Sequence, residues 1–265
     1  MRATVGQFNA GIDKKANLTS VLNLVEEAAR QGAELIVLPE NSMYSNPDAG
    51  ADISSHAEPI DGPFASIVAD SAKRHRIHVV VGMTEKPADS NEGRSINAVL
   101  VIDDQGQLVG VYRKVHLYDA FGYRESDRIA PQTPEALTFE VGDLTFGVMT
   151  CYDLRFPEMA RFLVDAGAQA LILPAAWAVG PAKEDHWNNL ARARAIENTV
   201  YMLASGQTGP TCTGQSLIID PMGHTAASAG EDPGIATAEI DANRIEAVRI
   251  KNPSLVNRRF RVSQV

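Results

Sequence analysis

The sequence has few cysteines and lacks a long apolar segment. Cys151 and Cys212 are its only cysteines in 265 residues, too few for a disulfide framework and without metal-ligand spacing. No apolar run approaches the ~20 residues of a membrane helix. The N-terminus shows neither the apolar core nor the cleavage site of a secretion signal. We therefore expect a cytoplasmic protein with no membrane partner, in which the thiols stay reduced.

An excess of positive charge is also missing. The formal net charge is −9, whereas a general nucleic-acid binder needs a basic surface. The six histidines, at positions 56, 75, 78, 116, 186 and 224, show no HExxH or similar ligand spacing. We therefore expect no nucleic-acid partner and no metal.

The pattern of apolar residues predicts one α/β domain over residues 1–265. Apolar positions at helical spacing predict a helix over 18–29, with Asn17 as its cap and Gly32 as its stop signal. A strand is predicted at 34–38, and a hairpin at 98–103 and 108–113. Further helices are predicted at 157–165 and 187–198. Such strand–helix–strand units with extra hairpins favour a single α/β domain whose sheets are covered by helices.

The last stretch, residues 251–265, has few periodic apolar residues. A segment with so little to contribute to its own core is a candidate for contact with another chain. We therefore expect it to cross to a partner subunit.

Three reactive residues follow predicted strands. Glu40 comes after an apolar run that ends at Pro39, which cannot donate a ladder hydrogen bond. Lys114 ends the run that begins at 109. Cys151 follows the run 144–150, immediately before a predicted helix. Singly, each residue is more often a solvated loop acid, a surface lysine or an inert buried cysteine.

Their common placement and complementary chemistry favour a catalytic site. Ligands in α/β folds bind outside the carboxyl ends of strands. A free thiol has a pKa near 8.5 and needs a base or a cation beside it at neutral pH. Glu40 can take the thiol proton, and Lys114 can stabilise an oxyanion. A papain-like pair with His116 or His186 as the base is an alternative, although that family's local signature is absent.

At these residues the sequence resembles the nitrilase superfamily of carbon–nitrogen hydrolases over nearly its whole length. The family's glutamate, lysine and cysteine motifs resemble 38–40, 112–117 and 151–158. Several further matches occur in the expected order. These are Asn97, Glu125-Ser126, His186-Trp187, the helical stretch 192–198 and the late hairpin at 214–216 and 220–223.

The resemblance implies a four-layer α-β-β-α sandwich that pairs into a homodimer, without a metal or organic cofactor. It implies that Cys151 attacks an amide carbon, that Glu40 is the general base, and that Lys114 and the Tyr152 backbone N–H hold the oxyanion. Ammonia leaves and a thioester remains, which water then hydrolyses. Glu125 matches a second, supporting glutamate.

The branch within the superfamily is indicated by the residues after the nucleophile. True nitrilases have Trp-Glu there, whereas Tyr152-Asp153 resembles the Nit-type amidases, which act on ω-amides of 2-oxo acids and on deaminated glutathione. The segment 177–183 departs from the Thr-rich stretch common in those enzymes. A nitrilase or N-carbamoyl-amine hydrolase with the same catalytic residues, and a non-catalytic binding protein on this scaffold, are the alternatives.

Two residues are candidates for substrate binding. Arg155 could clamp a substrate carboxylate, or it could pair with Glu158 or Asp153. Trp177 could line the pocket, or it could pack in the core. Cys212 lies in a predicted loop and is interpreted as incidental.

Overall fold

The computed structural model describes residues 1–48, 50–88 and 93–264. The strands are β1 (Arg2–Gln7), β2 (Leu35–Val37), β3 (His78–Glu85), β4 (Ile96–Ile102), β5 (Leu108–Arg113), β6 (Asp119–Ala120), β7 (Tyr123–Arg124), β8 (Thr138–Val141), β9 (Leu144–Val148), β10 (Ala170–Ala175), β11 (Tyr201–Gly206), β12 (Leu217–Ile219), β13 (Thr225–Ser228) and β14 (Gly234–Glu239). The helices are α1 (Lys14–Arg30), α2 (Pro63–His75), α3 (Pro157–Asp165), α4 (Lys183–Asn198) and α5 (Ala242–Lys251). Short 3₁₀ helices cover Ser54–His56, Glu125–Asp127 and Cys151–Arg155.

The strands form two mixed six-stranded sheets. The first has the order β14-β1-β2-β3-β4-β5, and the second has the order β13-β12-β11-β10-β9-β8. Within each sheet three central strands are parallel: β1, β2 and β3 in one, and β9, β10 and β11 in the other. The outer strands pair antiparallel. Strands β6 and β7 form a separate small hairpin.

The two sheets pack face to face, and helices cover their outer faces. Val5 and Val37 of the first sheet share a core with Val148 and Leu171 of the second. On the outer side of the first sheet, α1 and α2 pack against strand residues such as Ile36. Helices α3 and α4 pack on the outer side of the second sheet. This arrangement confirms the predicted four-layer α-β-β-α sandwich.

The beginning of α1 differs from the prediction. The helix begins at Lys14, and the cap is Asp13, whose Oδ1 accepts hydrogen bonds from the Lys15 and Ala16 N–H groups. The prediction of Asn17 as the cap is wrong. Asn17 is buried inside the first turn, where its Nδ2 donates to the Gly11 and Met43 carbonyls. Its side chain therefore anchors a loop rather than a helix end.

Other elements follow the predicted positions closely. The hairpin of β4 and β5 is confirmed, and Gly32 ends α1 in the left-handed region, with φ 74°. Helix α4 begins at Lys183, four residues before the predicted start at 187. Strand β8 and helix α5 had no clear pattern in the sequence.

The strand directions place Glu40 and Lys114 at one edge of the first sheet. Strand β5 is antiparallel to β4, and β4 is antiparallel to β3, so β5 runs in the same direction as β2 and β3. Glu40 follows β2, and Lys114 follows β5. Cys151 follows β9 of the facing sheet. All three residues can therefore meet in a cleft between the two sheets.

Candidate active site

Glu40 lies buried just beyond the end of β2, in a loop held close to the neighbouring strand. A Cβ placed on Gly82 of β3 would lie 2.7 Å from both the Pro39 carbonyl oxygen and the Glu40 Cα. The absence of a side chain at Gly82 therefore lets this loop sit directly on the sheet. The side chain of Gln207 also donates to the Glu40 carbonyl, at 2.7 Å.

Both carboxylate oxygens of Glu40 accept hydrogen bonds. Oε1 accepts from Lys114 Nζ at 2.8 Å and from Asn97 Nδ2 at 2.8 Å. Oε2 accepts from the Ala176 N–H at 2.7 Å. Burial raises the pKa of Glu40, but the charge and hydrogen bond of Lys114 outweigh it, so the pKa lies below its ordinary value of 4.5. Glu40 is therefore an ionised carboxylate in a buried site.

Lys114 is buried between two glutamates. Its Nζ lies 2.8 Å from Glu40 Oε1 and 2.9 Å from Glu125 Oε2. Glu125 Oε2 also accepts from the Tyr118 N–H at 2.7 Å. Burial lowers the pKa of Lys114, but the charges of Glu125 and Glu40 raise it well above its ordinary value. The structure therefore holds Lys114 as a fixed ammonium ion.

Cys151 lies at a strained turn between β9 and the 3₁₀ helix Cys151–Arg155. Its φ of 45° is in the left-handed region, where a residue with a side chain is uncommon. Asp153 holds this turn, because its Oδ2 accepts from the Thr150 N–H at 2.8 Å and from the Tyr112 hydroxyl at 2.6 Å. The turn directs the thiol into the site at the carboxyl end of the strand, as strained strand-to-helix turns do for a nucleophile.

The Cys151 thiol faces Glu40 in a nearly closed environment, with only 8% of the residue exposed. Burial, followed by the Glu40 charge, raises the pKa of the Cys151 thiol well above its ordinary value, although Lys114 opposes this shift. The resting group is therefore a neutral thiol beside an ionised carboxylate. Its proton can pass to Glu40 as the sulfur attacks.

The Tyr152 N–H lies in the first turn of the short helix that begins at Cys151. The first N–H groups of a helix have no acceptor within the helix. The ring of Tyr152 packs edge-on against Tyr118, with centroids 5.1 Å apart. This packing fixes the residue whose backbone was predicted to donate to an oxyanion.

A cavity of about 660 Å³ opens onto these residues. The predicted residues Glu40, Lys114, Cys151, Glu125, Tyr152 and Trp177 all line it. Cys212, interpreted from the sequence as incidental, lines it too. Burial raises the pKa of Cys212 to about 11, which keeps it a neutral thiol.

Arg155 does not line this cavity. Its guanidinium carbon lies 4.8 Å from the centre of the Trp177 ring, and Nη2 lies 3.3 Å from His186 Nδ1. It forms no ion pair with Asp153 or Glu158 in the described part of the chain. Its guanidinium carbon also lies 5.7 Å from the centre of the Phe121 ring, so Arg155 packs against two rings that line the cavity.

The structure adds two residues to the predicted set. Asn97, which the sequence indicated only as a motif match, donates to Glu40 Oε1 and to Glu125 Oε1, at 2.8 and 3.2 Å. It thereby ties the two carboxylates together. Lys183 is the second, a buried lysine on the cavity wall. In the sequence Lys183 lies in a loop-like segment without the spacing of a motif, so nothing there marked it as a site residue.

In the part of the chain that the structure describes, no helix is long and apolar enough to span a membrane. The same residues contain no group of three or more His, Cys, Asp or Glu side chains placed to hold a metal ion.

A model of the carbon-nitrogen hydrolase family matches residues 2–250. The chain belongs to the carbon-nitrogen hydrolase family. It is therefore a hydrolase that acts on carbon–nitrogen bonds, and the site described above lies within the matched residues.

Relatives in the carbon-nitrogen hydrolase family include two proteins named deaminated glutathione amidase. The one from Escherichia coli O157:H7 is 40% identical, with both chains fully covered. The one from Synechocystis is 37% identical, over 92% of this chain and 93% of the relative. The carbon-nitrogen hydrolase from Helicobacter pylori G27 has a similar structure, with a TM-score of 0.85 and 26% identity, covering 98% of this chain and 95% of the other.

Proposed function

We propose that this carbon-nitrogen hydrolase is a cysteine-dependent amidase that converts a small linear carboxamide into a carboxylic acid and ammonia. The observation that carries the proposal is the buried Cys151 thiol facing Glu40, whose carboxylate is bound by Lys114 on the wall of one cavity. A nucleophile, a base and a fixed cation converge there on a space large enough for a small molecule.

The first half of the reaction forms a thioester. Cys151 Sγ attacks the amide carbon while the thiol proton passes to Glu40. The negative charge that develops on the amide oxygen is stabilised by Lys114 Nζ and the Tyr152 N–H. The carbon–nitrogen bond then breaks, and the proton held by Glu40 goes to the leaving nitrogen, which departs as ammonia.

The second half releases the acid. A water molecule takes the place vacated by ammonia and gives a proton to Glu40 as its oxygen attacks the thioester carbon. The same two donors stabilise the second oxyanion. The carbon–sulfur bond breaks, and the proton returns from Glu40 to the sulfur, which restores the thiol. Glu125 and Asn97 keep Glu40 and Lys114 in position throughout.

The proposed substrate is the ω-amide of a dicarboxylic or 2-oxo acid, or deaminated glutathione, in which the proton from Glu40 goes to the substituted amide nitrogen and the rest of the molecule leaves as an amine in place of ammonia. Two relatives carry the name deaminated glutathione amidase, and Tyr152-Asp153 after the nucleophile resembles the same branch. Trp177 and Tyr118 supply apolar walls for a short carbon chain. We propose that the reaction takes place in the cytoplasm, where the thiol stays reduced.

Ammonia release from three matched compounds tests the reaction. The purified protein is incubated with glutaramate, with the corresponding nitrile 4-cyanobutanoate, and with N-carbamoyl-β-alanine. We expect turnover of the amide at a kcat/KM at least about tenfold above the other two. A preference for the nitrile or the carbamoyl compound would contradict the amidase assignment, and no turnover of any compound would favour a non-catalytic protein.

A further inference from the structure

Lys183 is a buried lysine with no acidic partner among the described residues. It begins α4 on the wall of the cavity, and only 5% of it is exposed. Lys183 forms no ion pair in the described part of the chain, whereas Lys114 is paired with both Glu40 and Glu125. Burying a cation without an anion is costly. An anionic ligand would remove that cost.

Aromatic rings hold the ammonium group of Lys183 in place. Nζ lies 4.3 Å from the centre of the Phe121 ring, 4.8 Å from that of Tyr118 and 5.5 Å from that of Trp177. The Trp177 indole N–H also donates to the Lys183 carbonyl at 2.8 Å. The ring faces stabilise the positive charge in part, but they do not accept hydrogen bonds from the ammonium group as a carboxylate would.

Hydrogen-bond capacity is left over at this position. An ammonium group has three protons, and Nζ gives one to the Tyr118 hydroxyl, at 2.8 Å. The Tyr118 hydroxyl in turn has no other partner in the described part of the chain, so its proton is also available. The Lys183 ammonium group and the Tyr118 hydroxyl can therefore each donate one more hydrogen bond. These two adjacent donors suit the two oxygens of one carboxylate.

Tyr118 connects Lys183 to the catalytic residues. Its backbone N–H donates to Glu125, and its hydroxyl accepts from Lys183 Nζ. Its ring packs edge-on against Tyr152, the residue after Cys151. A ligand that reaches from Cys151 to Lys183 would therefore pass along Tyr118.

The charges of the cavity agree with this placement. Glu40, Lys114 and Glu125 together carry a net charge of −1, which repels an anionic substrate. Among the described residues that line the cavity, Lys183 is the only further cation. We propose that Lys183, with the Tyr118 hydroxyl, binds the carboxylate of the substrate and selects amides that carry an acid at the far end. This inference rests on the proposed amidase function and names the specificity residue of the same site.

The test compares two amides of equal length and shape, glutaramate and 5-methylhexanamide, in which an isopropyl group replaces the carboxylate. Lys183→Met should raise KM for glutaramate roughly tenfold to 100-fold, the range of a lost hydrogen bond to a charged group. It should change kcat/KM for the neutral amide less than about threefold, which also reports that the fold is intact. Lys183→Arg should recover part of the preference, because the charge is retained. Lys15→Met, which removes an exposed lysine of α1, is the matched control.

Equal losses on both amides, or no loss on either, would overturn the inference and leave Lys183 a structural residue. If Lys183→Met does not fold, Tyr118→Phe provides the same comparison, with the same selective rise in KM expected. If the unaltered protein hydrolyses neither amide, the proposed function fails. Calorimetric binding of glutarate then tests Lys183 separately, since Lys183→Met must weaken that binding at least about tenfold.

Discussion

The side chain of Glu40 combines two properties that a general base requires. It is ionised, because Lys114 lowers its pKa against the effect of burial, and it faces a thiol that burial keeps neutral. The site does not hold a preformed thiolate. In the proposed mechanism the proton therefore moves during attack, which would make Glu40 as necessary as the nucleophile.

Replacement of the nucleophile gives the first prediction. Cys151→Ala should abolish ammonia release, because the Cys151 thiol is the one hydrogen-bonded to Glu40, whereas the Cys212 thiol contacts Thr211. Circular dichroism and thermal unfolding should show a retained fold. Turnover within about tenfold of the parent, against the roughly 10²-fold loss usual for essential groups, would contradict the assignment.

The paired charges give the second prediction. Lys114→Met and Glu40→Gln should each lower kcat by about 10²-fold or more. The double variant should lose little beyond the worse single variant, because the two residues act as one unit. Steady-state kinetics on glutaramate measure all three. Losses that multiply in the double variant would indicate independent roles.

The pH dependence of kcat/KM gives the third prediction. Glu40 must be ionised to accept a proton, and Lys114 holds its pKa below the ordinary value of a glutamate against the effect of burial, so the acid limb of activity should lie below the ordinary range of a glutamate. In Lys114→Met the largest opposing influence is lost and burial again raises the pKa of Glu40. The acid limb of its residual activity should therefore move to higher pH. An unchanged limb would show that another group controls it.

At the scale of elements, the contact of β3 with the loop after β2 positions the base. Gly82 lies so close to Pro39 and Glu40 that a methyl group would meet backbone atoms at 2.7 Å. Backbone atoms cannot move aside as a flexible side chain can. The position of Glu40 therefore depends on Gly82, which has no side chain and takes no part in the reaction itself.

The fourth prediction follows from this contact. Gly82→Ala should displace Glu40, lower kcat by about tenfold or more, and destabilise the fold by roughly 1–3 kcal/mol, as overpacking does. Gly11→Ala is the control, because a Cβ there meets no atom within 4 Å. Thermal unfolding and kcat are measured for both. Equal behaviour of the two variants would show that the loop can yield.

At the scale of the whole molecule, the C-terminal stretch has apolar side chains that its own chain does not cover. Val256 is 83% exposed and Phe260 is 89% exposed. The stretch is held to the rest of the chain by polar contacts, such as Arg258 Nη1 to Asp165 Oδ1 at 2.6 Å. Exposed apolar groups of this size are typical of surfaces that bind another chain.

We propose a homodimer, which gives the fifth prediction. Light scattering at micromolar protein should report a mass of at least twice 28.5 kDa. Phe260→Ser should weaken the association if residues 251–265 cross to the partner subunit. A monomeric mass for the unaltered protein would contradict both proposals.

Local patterns in the chain were enough to predict the class of fold and the ends of the strands that carry Glu40, Lys114 and Cys151. Short apolar runs that stop at a proline or at a charged residue report where a strand leaves the core, and that information is local. The same patterns misplaced the cap of α1, because Asp13 and Asn17 are both residues that favour caps. Their separate roles depend on the loop near Met43, which is distant in the sequence.

The roles of Arg155 and Lys183 required the folded chain. Arg155 is close to Cys151 in the sequence, which favoured it as a carboxylate clamp, but its side chain packs against the Trp177 and Phe121 rings and is not part of the cavity lining. Lys183 lies 32 residues after Cys151 in the sequence. It reaches the cavity because α4 begins at the cavity wall. Sequence distance decides neither burial nor the absence of a counter-ion. Both arise from packing between segments that only meet in the tertiary structure.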